Sequence, residues 1–470
     1  MKATRPRTVL LVAQAIAVLA LALPATSLAQ RPGSVDTTFD AGEIIGDLPL
    51  TYEVSTVEDM ALLPDGRLYI GGHINRIQGT SRDAIARLKP DGRLDPTFNE
   101  HAAAFGLDED VHHLHLQPDF RLIARGWRYL FDGSGDPSFS GRPNVIAVQP
   151  DGKLLAVLPD QHTEPFRLNS DGTLDASFKA TVMLWSAVPG VLVEPDGRIV
   201  MSAYFEADES HQLVRLLPTG ALDPSFTRVE FDPYPGFGAE PPHRVVRQPD
   251  GRYLVAGIPY GINGGVVGDL VRLHADGTID EEFPPAAFDP GREWDVYDIA
   301  IQPDGYILLA GSFSNPPPRL VMGVIRLHPD GTLDTSFDVG SGATVKEGER
   351  LPFVKRILLQ PDGKLLVAGT FTKFDDIPRQ HLVRLHAYHP LQITAEAQAG
   401  RMRLTVTGRS RPGYVEFSDD LKTWSILTRF CQEGRVAGVF YDPPPGEPIG
   451  VPRPARFYRA AFDAEWSVCL

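Results

Sequence analysis

The chain has 470 residues, with 60 acidic against 45 basic side chains and a formal charge of −15. No basic stripe interrupts that excess, which argues against nucleic acid and against anionic membrane surfaces as partners. Only two cysteines occur, Cys431 and Cys469, so what precedes them is held together without disulfides.

Residues 1–29 carry the pattern of a secretory signal peptide: Lys2, Arg5 and Arg7, an apolar stretch from Val9 to about Leu23, then small residues around Ala29. That stretch is shorter than the roughly 20 residues of a membrane span, and no cysteine lies near the cleavage site to carry a lipid. Export to the periplasm, cell surface or medium is the expectation. Removing the leader takes away three basic residues and no acidic one, which moves the charge from −15 to −18. An oxidising destination permits a Cys431–Cys469 bridge; two free thiols are the other reading.

From residue 34 the chain repeats itself. One half of the unit reads QPDGKLLVAG at 360–369, with counterparts starting at Leu63, Gln117, Gln149, Glu194, Gln248 and Gln302. The other half reads RLHPDGTLDTSF at 326–337, with counterparts at 87–98, 130–139, 167–178, 215–226 and 272–283. Short Val/Ile/Leu runs around an Asp-Gly turn signal a β-hairpin. Two hairpins per unit predict four short strands, and residues 34–387 divide into seven units of about 51 residues. That period fits a propeller blade, with a solenoid as the competing reading.

The segment SVDTTFD at 34–40 decides between them. It is the ending of a repeat placed at the beginning of the chain, while the last repeat stops at RLH (384–386) before its own LDxxF. A solenoid has no use for a detached last strand, but a ring does. Residues 34–39 are therefore expected beside 381–386, closing the circle and covering its open edges.

Within the unit, Leu94 and Phe98 are expected on one face of a strand, packing between blades. A Ser or Thr two residues after most LDxxF aspartates, as in Asp95/Thr97, predicts a local side-chain hydrogen bond. The second unit departs from the pattern: Phe120 replaces the turn glycine and no Arg-Leu precedes its worn LDxxF. The paired motifs and the seven-fold count resemble the delta-60 repeat family of bacterial β-propellers. The resemblance implies the fold and carries no reaction with it.

From about Leu391 the repeat ends. Alternating strands in LQITAEAQAGRMRLTVTG and YVEFSDDLKTWSIL, closed by ARFYRAAF, predict a small β-sandwich over 389–470. VEFSDDLKTW and RFYRA resemble a C-terminal module of secreted bacterial multidomain proteins. Trp424 and Tyr458 are read as core aromatics. The expectation for the whole chain is all-β: a seven-bladed propeller over 30–388, then this module.

The Asp-Gly turns should lie on one face of the ring and the variable connections, such as 227–243, 258–269 and 338–353, on the other. Variable loops on a regular scaffold mark the working face. Counting back from the motif proline, the fourth position is apolar in every unit. The fifth holds Asp59, His113, Val145, Gly190, Arg244, Asp298 and Arg356, preceded by Glu58, His112, Asn144, Pro189, His243, Tyr297 and Lys355. Asp59, His113, Arg244, Asp298 and Arg356 are accordingly the candidate ligand-binding residues of a channel mouth. Solvation or mutual pairing of those charges is the competing reading.

His113 and His115 alternate on one strand face, and His243 is the candidate third ligand of a metal, although a worn repeat explains the pair as well. No G-x-S-x-G, HExxH, P-loop or dinucleotide fingerprint is present, so no catalytic residue and no cofactor is assigned. The leading expectation is an exported, non-catalytic scaffold that binds an extracellular protein or polysaccharide. A metal-dependent hydrolase or lyase acting on sugars or lactones at the mouth is the alternative, and a purely structural envelope component the third.

Overall fold

Short hydrophobic runs, most of them flanked by an Asp-Gly turn, are too short for helices and are bounded by turn signals. In the computed structural model they are strands. The structure describes residues 31–46, 56–98, 111–158, 163–184, 190–205, 210–232, 242–257, 261–263, 265–266, 269–284, 295–314, 320–345 and 352–388. It also describes the C-terminal strands between 392 and 462. Among these residues there is no α-helix, and so none long and apolar enough to cross a membrane. The signal-peptide stretch, Cys431, Cys469, Trp424 and much of the variable connections lie outside the described residues, as do the side chains of the C-terminal strands, Tyr458 included.

The repeat builds seven antiparallel sheets among the described residues. The first comprises Asp59–Leu62, Leu68–Gly71 and Ile85–Leu88; the second His115–Leu116, Leu122–Ala124 and Trp127–Tyr129; the third Asn144–Val148, Leu154–Val157 and Phe166–Leu168. The fourth comprises Leu192–Val193, Ile199–Phe205 and Ser210–Leu216, extended by Val229–Glu230. The fifth holds Arg244–Arg247, Tyr253–Ala256 and Leu270–Leu273; the sixth Asp295–Ile301, Ile307–Ser314 and Leu320–Leu327; the seventh Phe353–Leu359, Lys364–Thr370 and Leu382–His386. Apolar faces pack sheet against sheet: Tyr69, Ile85 and Phe98 of the first share a core with Leu114, Leu122 and Tyr129 of the second.

The expected fourth strand is corrected. LDxxF contributes a single bridge, as at Leu88–Leu94, and then turns. The turn is chemical in origin. Asp95 Oδ1 accepts the Thr97 amide at 3.0 Å and the Thr97 hydroxyl at 2.7 Å, bending the chain so that Phe98 drops between sheets. The local hydrogen bond expected from the Asp/Thr spacing is thus present, but it leaves half of the carboxylate unexplained.

The other oxygen holds an arginine. Arg87 Nε donates to Asp95 Oδ2 at 2.7 Å, its Nη2 to Thr97 Oγ1 at 2.8 Å, and its Nη1 to the Phe131 carbonyl of the second sheet at 2.6 Å. The guanidinium also lies over the Phe98 ring. Arg128, Arg167, Arg215, Arg272 and Arg326 repeat the arrangement, each bound to its own LDxxF aspartate and to a backbone carbonyl of the next sheet. The second unit has no Arg-Leu before its worn LDxxF, but in WRYLFD the arginine itself is kept, followed by tyrosine in place of leucine.

In the seventh sheet Arg384 finds its aspartate at the other end of the chain. Its Nε donates to Asp36 Oδ2 at 2.8 Å, its Nη2 to Thr38 Oγ1 at 3.0 Å and its Nη1 to the Pro90 carbonyl at 2.8 Å. Val35 bridges Leu385, and Gly33 and Asp36 amides donate to the His386 and Arg384 carbonyls. Leu366 and Leu382 of the seventh sheet share a core with Leu68 and Ile70 of the first. Arg31 adds an exposed ion pair to Asp338 at 2.6 Å.

Gly66 shows what the Pro-Asp-Gly turn demands: its φ is +85°, and a Cβ there would stand 3.3 Å from Pro90. Phe120 takes the same left-handed conformation, φ +65°, with its ring largely exposed. A non-glycine residue in that region costs about 1–2 kcal/mol. Phe120→Gly should therefore raise stability by about 1 kcal/mol, read as a higher Tm; a lower Tm would mean that the ring packs to a net benefit.

Beyond the repeat, two antiparallel three-stranded sheets follow. Gln392–Gln398, Arg401–Ser410 and Gly434–Asp442 form one; Ser425–Phe430, Gly413–Ser418 and Phe457–Phe462 form the other.

Candidate functional site

The first strands of all seven sheets contribute to one cavity of about 580 Å³. The antiparallel order sets which end it occupies. First strands start at the cavity end and run to the Asp-Gly turn, so the second-to-third connections return to the same end. The small outer hairpins Arg76–Ile77/Thr80–Ser81 and Lys373–Phe374/Ile377–Pro378 belong to those connections.

Four of the five residues singled out in the sequence, Asp59, His113, Arg244 and Arg356, line this cavity, and the fifth, the buried Asp298, joins Asp59 and the two arginines in one chain of opposite charges. Arg244 Nε lies 3.0 Å from Asp298 Oδ1, Arg356 Nη1 3.7 Å from the same oxygen, and Arg356 Nε 3.0 Å from Asp59 Oδ1. Positive and negative groups therefore alternate from the fifth sheet through the sixth and seventh to the first. His113 follows on the second.

The aspartates are buried and paired rather than freely solvated. Asp59 is 6% exposed and Asp298 1%. Each also ties strands together. Asp59 accepts the amides of Met60 and, on the second sheet, Leu114, both at 2.8 Å. Asp298 accepts those of Ile299 at 2.9 Å and, on the seventh sheet, Ile357 at 3.0 Å. One aspartate thus holds the first sheet to the second and the other the sixth to the seventh.

Electrostatics follow from this pairing. Burial works to raise the Asp59 pKa, but Arg356 and the Leu114 amide outweigh it and hold the carboxyl below its ordinary range. Burial alone would lower the Arg356 pKa; Asp59 and Asp298 raise it instead. His113 is pushed down to about 4 by enclosure in the protein, against the attraction of Asp59 and with the help of His115 and Arg356. His115 is also lowered by burial. Both imidazoles are neutral at pH 7.

The metal expectation meets a geometric obstacle. His115 Nε2 lies 2.9 Å from the Val145 carbonyl, which can only accept, so that nitrogen carries the proton. His243 Nδ1 lies 3.3 Å from the Val296 carbonyl and its ring stacks on Tyr297, 5.4 Å between centroids. Among the described residues no group of three His, Cys, Asp or Glu side chains is spaced to hold a metal ion.

Two residues gain importance that strand alternation did not assign them. The register shifts between Val296 and Asp298 and again between Val354 and Arg356, so Tyr297 and Lys355 are the extra residues of β-bulges. A bulge re-aims its side chain. Both line the cavity, with Lys355 Nζ 4.8 Å from the Tyr297 ring centroid. The polar sequence EWDVYDIAIQPDG gives no sign of where such a bulge falls.

The family model described as Domain of unknown function (DUF5122) beta-propeller matches residues 63–98, 166–178, 194–226, 248–283, 302–337 and 360–387. The matched segments are the hairpin pairs of the repeat. The chain is similar to the solved Dos1 propeller at 11% identity, covering 70% of this chain and 77% of that one, with a TM-score of 0.40. It is similar to YCF48 bound to D1 peptide at 14% identity, 77% and 99% coverage and a TM-score of 0.41. It is also similar to a gluconolactonase from Xanthomonas campestris at 15% identity, 62% and 96% coverage and a TM-score of 0.32. No curated protein matches.

Proposed function

We propose that this chain, built from repeats of a β-propeller family, is an exported, non-catalytic binding protein. It engages an extracellular protein or polysaccharide on the face that carries the cavity mouth. In this reading the repeats are of the delta-60 kind and the seven sheets are the blades of a closed ring. Residues 33–39 replace the missing end of the last blade, and the C-terminal sheets form an accessory β-sandwich. The closure is supported by Arg384, which binds Asp36, Thr38 and Phe39 as Arg87, Arg128, Arg167 and Arg215 bind the Asp, the Ser or Thr and the Phe of their own repeat endings.

One observation carries the non-catalytic reading: the two aspartates of the charge chain are committed to holding neighbouring sheets together. Asp59 and Asp298 each accept two backbone amides and pair with an arginine. General acid–base work needs a carboxyl or imidazole with a pKa near the operating pH; Asp59 is held low and His113 falls to about 4.

Hydroxyl-radical footprinting of the purified protein, with and without extracellular matrix polysaccharide or secreted protein fractions, tests the proposal. Protection is expected at the mouth-face segments, including 72–84 and 370–381. Protection confined to the Asp-Gly turn face would overturn it.

A further inference from the structure

The mouth cavity is chemically different on its two sides. The third and fourth sheets line it with Ile146, Val148, Val191 and Val193, and bring no charge. The fifth, sixth and seventh sheets line it with Arg244, Tyr297, Lys355 and Arg356.

The cations are not equally satisfied. Arg356 is shared between Asp59 and Asp298. Arg244 approaches Asp298 with its Nε at 3.0 Å, and its side chain is 36% exposed, so part of the guanidinium stays accessible from the cavity. Lys355 has no carboxylate among the described residues; its ammonium rests over the Tyr297 ring. The lining carboxylates Glu58 and Asp59 are buried on the first sheet, next to Arg356. One ammonium and the accessible part of one guanidinium suit a single negative charge. A dianion such as a phosphate monoester would also face the repulsion of Glu58 and Asp59.

We infer that this cavity binds a small amphipathic monocarboxylate, its anionic group at Lys355 and Arg244 and its apolar body against the third and fourth sheets. The inference rests on the mouth-face reading above and names its ligand class. The cavity is more polar than the average small-molecule site, but its volume lies in the usual range and its apolar side offers a surface for a hydrocarbon body.

Isothermal titration of the full chain with phenylbutyrate, phenylbutanol and phenylbutylamine tests it. Phenylbutyrate should bind about tenfold tighter than the alcohol, and the amine weakest of the three. Lys355→Met should erase the preference for acid over alcohol while leaving alcohol binding unchanged. Val193→Thr should weaken acid and alcohol alike. Unchanged melting curves show that each variant folds. Equal binding of acid and alcohol, tighter binding of the amine, no binding of phenylbutyrate at millimolar concentration, or a Lys355→Met variant that keeps the preference would each overturn the inference. If phenylbutyrate fails but the footprint stays on the mouth face, only the ligand class is lost; if the footprint moves to the turn face, the reading beneath it falls as well.

Discussion

Asp36→Ala is expected to destabilise the protein by about 3–5 kcal/mol, the usual cost of removing one partner from a buried ion pair. Arg384 would keep its guanidinium in a site with 7% side-chain exposure and lose the carboxylate it now meets at 2.8 Å. Thr38 would lose the acceptor of its amide and hydroxyl as well. The same substitution at an exposed pair such as Arg31–Asp338 should cost less than about 1 kcal/mol. Urea unfolding of both variants measures the contrast. Pairing Asp36→Ala with Arg384→Met should recover much of the loss, because no charge is then left stranded. Equal, small effects at both sites would deny the N-terminal segment its role as the seventh sheet's missing end.

The same aspartates set an acid limit. For Asp36, burial raises the pKa, but the Thr38 hydrogen bonds, Arg384 and Lys364 together hold it well below the ordinary range. Asp95 is held at about 2 in the same way, with burial opposed by Thr97 and Arg87. A depressed folded pKa gives stability that is complete above the unfolded carboxylate value and is lost as pH falls through the folded one. The urea midpoint should hold down to about pH 4 and then drop steeply toward pH 2. With Asp36→Ala that drop should be shallower.

Arg356→Met should cost about 3 kcal/mol, a little less than the loss at Asp36. Asp59 would lose its arginine outright, while Asp298 keeps Arg244. Adding Asp59→Asn to that variant should restore part of the loss, since the neutral amide no longer needs a cation. An Arg356 held in place for a ligand alone would leave the melting curve unmoved. Stability and ligand titration therefore separate the two proposed roles: Arg356 in holding neighbouring sheets, Lys355 in holding a ligand.

The repeat was readable because its turns are written in residues with one physical purpose. An Asp-Gly turn between short apolar runs favours a hairpin, so the hairpins of the repeat were legible without coordinates. The early LDxxF could be matched to the late RLH because each lacked what the other supplied. The apolar fourth positions and the charged fifth positions were likewise visible; of the residues so picked out, Asp59, His113, Arg244 and Arg356 line one cavity, and Asp298 is ion-paired to its two arginines.

Other features were not written locally. The arginine before LDxxF looks like any strand residue, and its value lies in a carbonyl on the next sheet, 44 residues away for Arg87 and 294 for Arg384. Whether Asp59 and Asp298 stand in water or bridge strands depends on which amides approach them from the second and seventh sheets. The bulges at Tyr297 and Lys355 come from register, a property of two strands rather than one. Local turn chemistry is a matter of neighbours in sequence, and it determined the hairpins and the all-β repeat they build. Pairing of charges and aim of side chains are matters of neighbours in space, and only the packing of sheet on sheet decided them.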